Sequence, residues 1–291
     1  MKKSLFFLVF IFISFTGIGQ ELTWAPSFPT ESTSNLVITV DATKGNKGLL
    51  NYTGDVYVHI GVITNKSTGP GDWKHVLTTW GTINPVFQAA SLGNNKWSFT
   101  ISSNLRSYFS VTDPTEKIQK IAILFRDGSG TLKQANTDGS DMYVPVYTSA
   151  NAVTFTAPPL QPTFVPIPEP ITKTIGDNIP ITAIASNSSA MTLYLNGTVI
   201  QTATGATTIS ATPTLVSSGN TQIVAEANDG VTDARDTINF FVSGSVNVAD
   251  LPAGARDGIN YINSTTVTLV LYAPGEGRVA VIGDLPGNNW T

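Results

Sequence analysis

The chain has 291 residues and a formal net charge of −4, a length that predicts two domains of ~150 residues or three smaller ones. Charged residues make up 12%, about half the usual ~25%, and Thr, Ser, Asn and Gly take their place. The lack of a basic excess argues against a nucleic-acid partner, and the absence of cysteine excludes disulfides and thiolate catalysis and leaves ordinary hydrophobic cores to hold the fold.

Residues 1–20 read as a secretory signal peptide. Lys2 and Lys3 precede an apolar run from Leu5 to Phe15, and small residues, Gly17 and Gly19, sit before a cut beside Gln20. The run is too short to span ~30 Å of hydrocarbon comfortably, and no second run of spanning length follows. No stable membrane insertion is therefore expected. The expected location is outside the cell, secreted or on the surface of a Gram-negative bacterium.

Short alternating segments punctuated by Pro and Gly fill the rest, the pattern of an all-β chain. We expect tandem immunoglobulin-like β-sandwiches, the last one truncated. The first spans 21–150. Its strands are "NLVITVDAT" (35–43), "DVYVHIGVIT" (55–64), "NKWSFTI" (95–101, behind the turn "LGNN"), "KIAILFRD" (120–127) and "DMYVPVY" (141–147). In the second of these, Val56, Val58, Ile60 and Val62 share one face, and Tyr57, His59 and Gly61 share the other. "DWKHVLTTW" (72–80) has helical spacing of Trp73, Val76, Leu77 and Trp80, but its short length and flanking Gly71 and Gly81 favour strand or irregular structure.

"APPLQPTFVPIPEP" (157–170) holds six prolines in fourteen residues, so 151–170 is expected to be an extended, semi-rigid linker or the lead-in strand of the next sandwich. Residues 171–245 form a second Ig-like domain without Trp. Asn196-Gly197 marks one hairpin, because both residues tolerate positive φ, and Asp229-Gly230 marks another. It reads as a spacer. Residues 246–291 are expected to be the start of a third, incomplete sandwich. Its open strand edges predict that 248–291 expressed alone gives no cooperative melt, a result circular dichroism would check.

No hydrolytic motif emerges: there is no G-x-S-x-G, H-E-x-x-H or Walker A loop, and the carboxylates lie scattered in turns rather than paired across one bond. The chain itself is read as non-catalytic, with no cofactor and no metal. His59 and His75 are the only histidines and lack an acidic cluster around them. "DGSGTLKQANTDGSD" (127–141) puts Asp127, Ser129 and Thr131 at the first three ligand positions of an EF-hand-like loop. Leu132 stands where Gly is required and Asp138 where Glu is usual, so a polar hairpin loop is favoured. Aromatic side chains are the remaining candidates, since indole faces stack on the C–H faces of sugars. Trp73 and Trp80 lead, with Tyr57, Trp97 and Trp290 beside them. For any one tryptophan the competing role is filling a sandwich core.

The C-terminal stretch "DGINYINSTTVTLVLYAPGEGRVAVIGDLPGNNW" (257–290) carries Tyr-Ala-Pro, a short turn, Val-x-Val-x-Gly-Asp and then Trp. It resembles the early-set, glycogen-binding-type domain that precedes the catalytic barrel in many alpha-amylase-family enzymes. It departs from that family's Gly-Asp-Phe-Asn-x-Trp at Leu285 and the inserted Pro286-Gly287. In glycogen-binding members the residue matching Trp290 stacks on glucose; in pre-barrel members it is structural. The first domain, through "VYVHIGVIT", "DWKHVLTTWG", "NKWSFTI", "IAILFRDGSGTLK" and "DGSDMYVPVY", is similar to the N-terminal module of secreted Bacteroidetes alpha-amylase-like proteins. The resemblance implies α-glucan partners (starch, glycogen, maltooligosaccharides) and a catalytic domain in cis beyond Thr291. The competing expectation is a structural Ig-like stalk or adhesin with no sugar site.

Overall fold

The computed structural model describes residues 20–148, 151–244, 250–251 and 253–273. Among them the protein is almost entirely β. The expected signal peptide, apart from Gln20, and Trp290 lie outside the described residues. Residues up to Gly244 form one compact unit, and those from Ser245 another.

The first sandwich contains β1 (Leu22–Ala25), β2 (Leu36–Asp41), β3 (Tyr57–Thr64), β4 (Ala90–Gly93), β5 (Lys96–Ile101), β6 (Ile118–Arg126), β7 (Lys133–Gln134) and β8 (Met142–Pro145), with a 3-10 turn at Pro85–Phe87 and a short α-helix, α1 (Leu105–Tyr108). One sheet runs β1-β2-β5-β4; the other runs β3-β6-β7, with β8 on β6 beside β7. Period-2 alternation aims one row from each strand at the core. Cross-strand pairs Leu36↔Ile101, Ile38↔Phe99 and Val40↔Trp97 line the first sheet's inner face, and Val58↔Phe125, Ile60↔Ile123 and Val62↔Ile121 line the second's. The β4–β5 turn has positive φ at both Asn94 (51°) and Asn95 (61°), as a two-residue hairpin requires.

The outer faces of the two sheets differ. On β2, Val37 and Thr39 are half-buried. On β3 and β6, most of the outward row is fully buried, including Tyr57, Gly61, Ile63, Ala122 and Leu124. The segment 72–80 causes part of this burial. It is irregular, tied to β3 by Val62 N–H to Lys74 O (2.9 Å), Lys74 N–H to Val62 O (2.7 Å) and Leu77 N–H to Ile60 O (3.1 Å). It therefore shields the free edge of β3, which would otherwise expose an unpaired ladder. The helical spacing of its apolar residues is overridden by these edge contacts.

The second sandwich comprises β9 (Val153–Ala157), β12 (Lys173–Thr174), β13 (Ile181–Leu195), β14 (Thr198–Ala211), β15 (Gly219–Asn228) and β16 (Asp233–Ser243). β13 pairs with β9 over Thr182–Ala185 and with β15 over Ala190–Leu195. Register shifts against β14 lie between these stretches, as β-bulges that bend the long strand, and all six strands join in one hydrogen-bonded sheet. Asn196 and Gly197 turn the β13–β14 hairpin with φ of 49° and 77°, and Asp229 Oδ1 accepts the N–H groups of Val231 (2.9 Å) and Thr232 (2.8 Å) to close the β15–β16 turn. Between β9 and β12, the Pro-rich segment forms a small hairpin of β10 (Leu160–Gln161) and β11 (Ile167–Pro168). Residues 151–170 thus hold β9, β10 and β11. In the unit that starts at Ser245, β17 (Gly258–Tyr261) pairs antiparallel with β18 (Val267–Val270), and Ile259, Tyr261, Val267 and Leu269 are exposed.

One buried carboxyl in the first sandwich has a consequence for stability. Glu21 is 5% exposed and accepts a 2.9 Å hydrogen bond from Gln134 Nε2. Burial pushes its pKa up to about 7, with Glu169, Asp138 and Asp41 adding to the rise. The folded protein then holds a proton that the unfolded chain releases near pH 4.5, so stability is lost as pH rises from there through about 7. Glu21→Gln should raise unfolding free energy at pH 8 by about 1–3 kcal/mol and leave it nearly unchanged at pH 4, in urea titrations at both pH values.

Candidate functional site

The outward row of β3 and β6 builds the site. Its register is Tyr57↔Arg126, His59↔Leu124, Gly61↔Ala122 and Ile63↔Lys120, extended across Ala122↔Tyr143 onto β8. Gly61 and Ala122 make a low point in this row. A Cβ on Gly61 would stand 3.0 Å from Val76 Cγ2 and 3.1 Å from Lys74 O, so the 72–80 segment depends on a bare backbone there to pass this close. Trp73 packs against the small cluster of Ile63, Ala122 and Tyr143. Its ring stacks on His59, with centroids 5.5 Å apart and planes 28° from parallel.

Trp80 meets the same histidine edge-on, at 5.2 Å and 87°. Behind it, the Arg126 guanidinium lies 5.7 Å from the Trp80 ring centre and 5.9 Å from that of Tyr57. Arg126 is 1% exposed and donates to Thr82 O (2.6 Å), Asp127 O (2.8 Å) and Gly128 O (3.1 Å), fastening the turn after Trp80 to the turn after β6. Gly130, at φ 75°, approaches so closely that a Cβ would lie 2.6 Å from Trp80 Nε1. Trp80 is thus held on its inner side and remains 42% exposed.

His59, Trp73, Val76, Trp80, Lys133 and Asp141 border an open groove of about 510 Å³. His59 Nδ1 and Thr78 Oγ1 share a 2.7 Å hydrogen bond. Burial, followed by the nearby Arg126 charge, lowers the His59 pKa and favours neutral imidazole. Burial raises the Asp141 pKa, against the pull of Lys133 and of a hydrogen bond with Trp73. Among the described residues, Lys133 and Asp141 form no ion pair with each other. The groove therefore offers aromatic surface beside one ammonium and one carboxyl, a set suited to neutral polyhydroxyl ligands. A cleft of about 470 Å³ lined by Pro26, Phe28, Ile184 and Thr208 between the two sandwiches has no charged side chain on its walls.

The structure brings Trp73 and Trp80 together and corrects two other expectations. Trp97, on β5, is 4% exposed and belongs to the main core; its inward parity on β5 decides this. Tyr57 is 5% exposed because Arg126 and the turns around it cover the outer face at that end of β3. Neither ring offers a face to a ligand. Trp290 lies outside the described residues. Lys133 and Asp141 were missed, although Asp141 shares its parity with Tyr143 two positions on, which places it on the outward row. His59 and His75 have separate partners: His75 Nε2 lies 3.2 Å from Glu116 Oε1. In the acidic loop, Asp127 accepts Ser129 Oγ–H (2.5 Å) and Leu132 N–H (3.0 Å), the arrangement of a closed polar turn.

No family model matches the chain, and no curated protein matches it. Solved structures it is similar to include fibronectin(III)-like modules of CbhA from Clostridium thermocellum, at 24% identity over 32% of this chain and 99% of that one, with a TM-score of 0.26. The D0–D1 domain of intimin matches at 13% identity over 76% and 97%, TM-score 0.35, and the titin Ig tandem A164–A165 at 6% over 78% and 98%, TM-score 0.25. The Ig-like assignment rests on the sheets described above.

The two kinds of tryptophan are separable by stability. Trp97→Ala should cost about 3–5 kcal/mol, as for other buried aromatic deletions, and Trp80→Ala distinctly less. Urea unfolding of the two variants checks this.

Proposed function

We propose that the first sandwich binds α-glucan in the Trp73–His59–Trp80 groove, and that the second is a spacer. The observation that carries this reading is one open groove where a solvent-facing indole, a second indole braced by a neutral histidine, a lysine and a carboxyl converge. Stacking on the indoles supplies weak, orientation-tolerant contact to sugar C–H faces. Lys133 donates to, and Asp141 accepts from, sugar hydroxyls. Among the described residues that line the groove there is one carboxyl, Asp141, where glycoside hydrolysis canonically uses two.

The choice of α-glucan over other polysaccharides is supported by the resemblance of the first domain and of residues 257–290 to alpha-amylase-family proteins. On that reading the chain is the exported, non-catalytic front of such an enzyme. Weak contacts to an insoluble polymer then hold a catalytic domain in cis at high effective concentration.

Affinity electrophoresis of the full chain in amylopectin gels tests the reading. Retardation is expected for the wild type and strongly reduced for Trp80→Ala and Trp73→Ala. Retardation that is absent in the wild type, or unchanged from wild type in both variants, sinks it. In that case tryptophan fluorescence should also be unmoved by maltoheptaose, the behaviour of a purely structural stalk.

A further inference from the structure

Trp73 makes two contacts. It stacks on His59 in the groove, and it packs on the Ile63–Ala122–Tyr143 cluster. A second side chain packs on that same cluster: Phe164, from the Pro-rich hairpin between β10 and β11. Its ring meets Tyr143 edge-on at 5.5 Å and 80°, and Lys120 Nζ lies 5.5 Å from its centre. The backbone joins at the same point, since Tyr143 N–H donates to Pro162 O at 2.8 Å. Tyr143 also fixes the loop leading into Trp73, because its hydroxyl donates to Pro70 O at 2.8 Å. Burial pushes that phenol up to about 12, so the donor is kept across the physiological range.

The hairpin is an excursion from the second sandwich. β9 enters it from the pairing with β13, and β12 leaves it to pair with β16. A segment anchored at both ends in one sandwich thus reaches the outer face of the other, onto the residue that supports Trp73. We propose that Phe164 is a positioning residue for the groove: through Tyr143 it sets the Trp73 ring, making ligand affinity in the first sandwich depend on a hairpin carried by the second. This rests on the glucan reading for its ligand and on packing alone for its effect on Trp73.

The test uses the full chain with indole-¹⁵N-labelled tryptophan and maltoheptaose as the probe. Phe164→Ala should move the Trp73 indole resonance in the absence of sugar, leave that of Trp97 in the main core in place, and weaken maltoheptaose binding about fivefold, the scale of one lost edge-to-face ring contact. Phe164→Tyr, which keeps the ring, should restore both. A Trp73 resonance that stays put in Phe164→Ala overturns the proposal, as does an unchanged affinity or a uniform shift of all indoles. If the wild type itself does not bind maltoheptaose, the glucan reading fails, and the Trp73 resonance alone decides the positioning. If Phe164→Ala does not fold, Phe164→Leu is measured in its place, with the same two outcomes.

Discussion

The burial of the outward face of β3 and β6 is the constraint on which the rest of the first sandwich depends. A two-layer sandwich needs only its inner faces covered, and β2 and β5 follow that rule with Thr39, Ser98 and Thr100 looking outward. On the opposite sheet the outward row reads Tyr57, His59, Gly61, Ile63 on one strand and Lys120, Ala122, Leu124, Arg126 on its partner. Such a row cannot be left in water without exposing a contiguous apolar patch. Two unrelated pieces of chain cover it: the irregular segment 72–80 over β3, and the Pro-rich hairpin over β8. Trp73 lies where the two coverings meet, packed on the cluster that Phe164 also touches.

The cover has to be loose at one place for a site to exist. Along the outward row, side-chain volume falls to its lowest at Gly61 and Ala122 and rises toward Tyr57 and Arg126. Large residues at both central positions would lift the 72–80 segment off the sheet. Small ones let it sink until Trp73 reaches the level of His59. The Arg126 end is tightly filled, with the guanidinium consumed by three carbonyl oxygens, so Trp80 cannot sink likewise and stays at the surface. Exposure of Trp80 and partial burial of Trp73 follow from the same gradient of side-chain size.

Much of this was legible from residue order. Alternation in 35–43, 55–64, 95–101 and 120–127 places the strands, and the Asn94-Asn95 and Asn196-Gly197 pairs place two hairpins, because each depends on local geometry alone. Trp73 and Trp80 stood out by composition and flanking glycines. Trp97 and Tyr57 were misjudged as candidates because exposure is set by what covers a face, and coverage comes from segments far away in sequence. Tyr57 shares strand and parity with His59, yet Arg126 and the turn near Thr82 close over it. Asp141 and Lys133 went unnoticed for the opposite reason: they sit at the ends of short strands, where parity can be read only after the register with β6 is known. The packing of Phe164 on the Ile63–Ala122–Tyr143 cluster was hidden in a stretch whose prolines suggested a linker or a lead-in strand.

Those prolines have a physical use at the place where they lie. The edge of β8 away from β6 offers the Tyr143 N–H, which requires an acceptor and is dangerous if it recruits another strand. A proline-rich segment supplies carbonyl oxygens while lacking many of the N–H donors that would let the sheet grow past it. Pro162 meets this need by accepting from Tyr143 and donating nothing. Fixed φ angles also reduce the entropy lost when the hairpin is ordered on a foreign surface. The composition that marks the segment as a spacer is therefore the one best suited to end a sheet, and ending the sheet there is what brings Phe164 onto the cluster beneath Trp73.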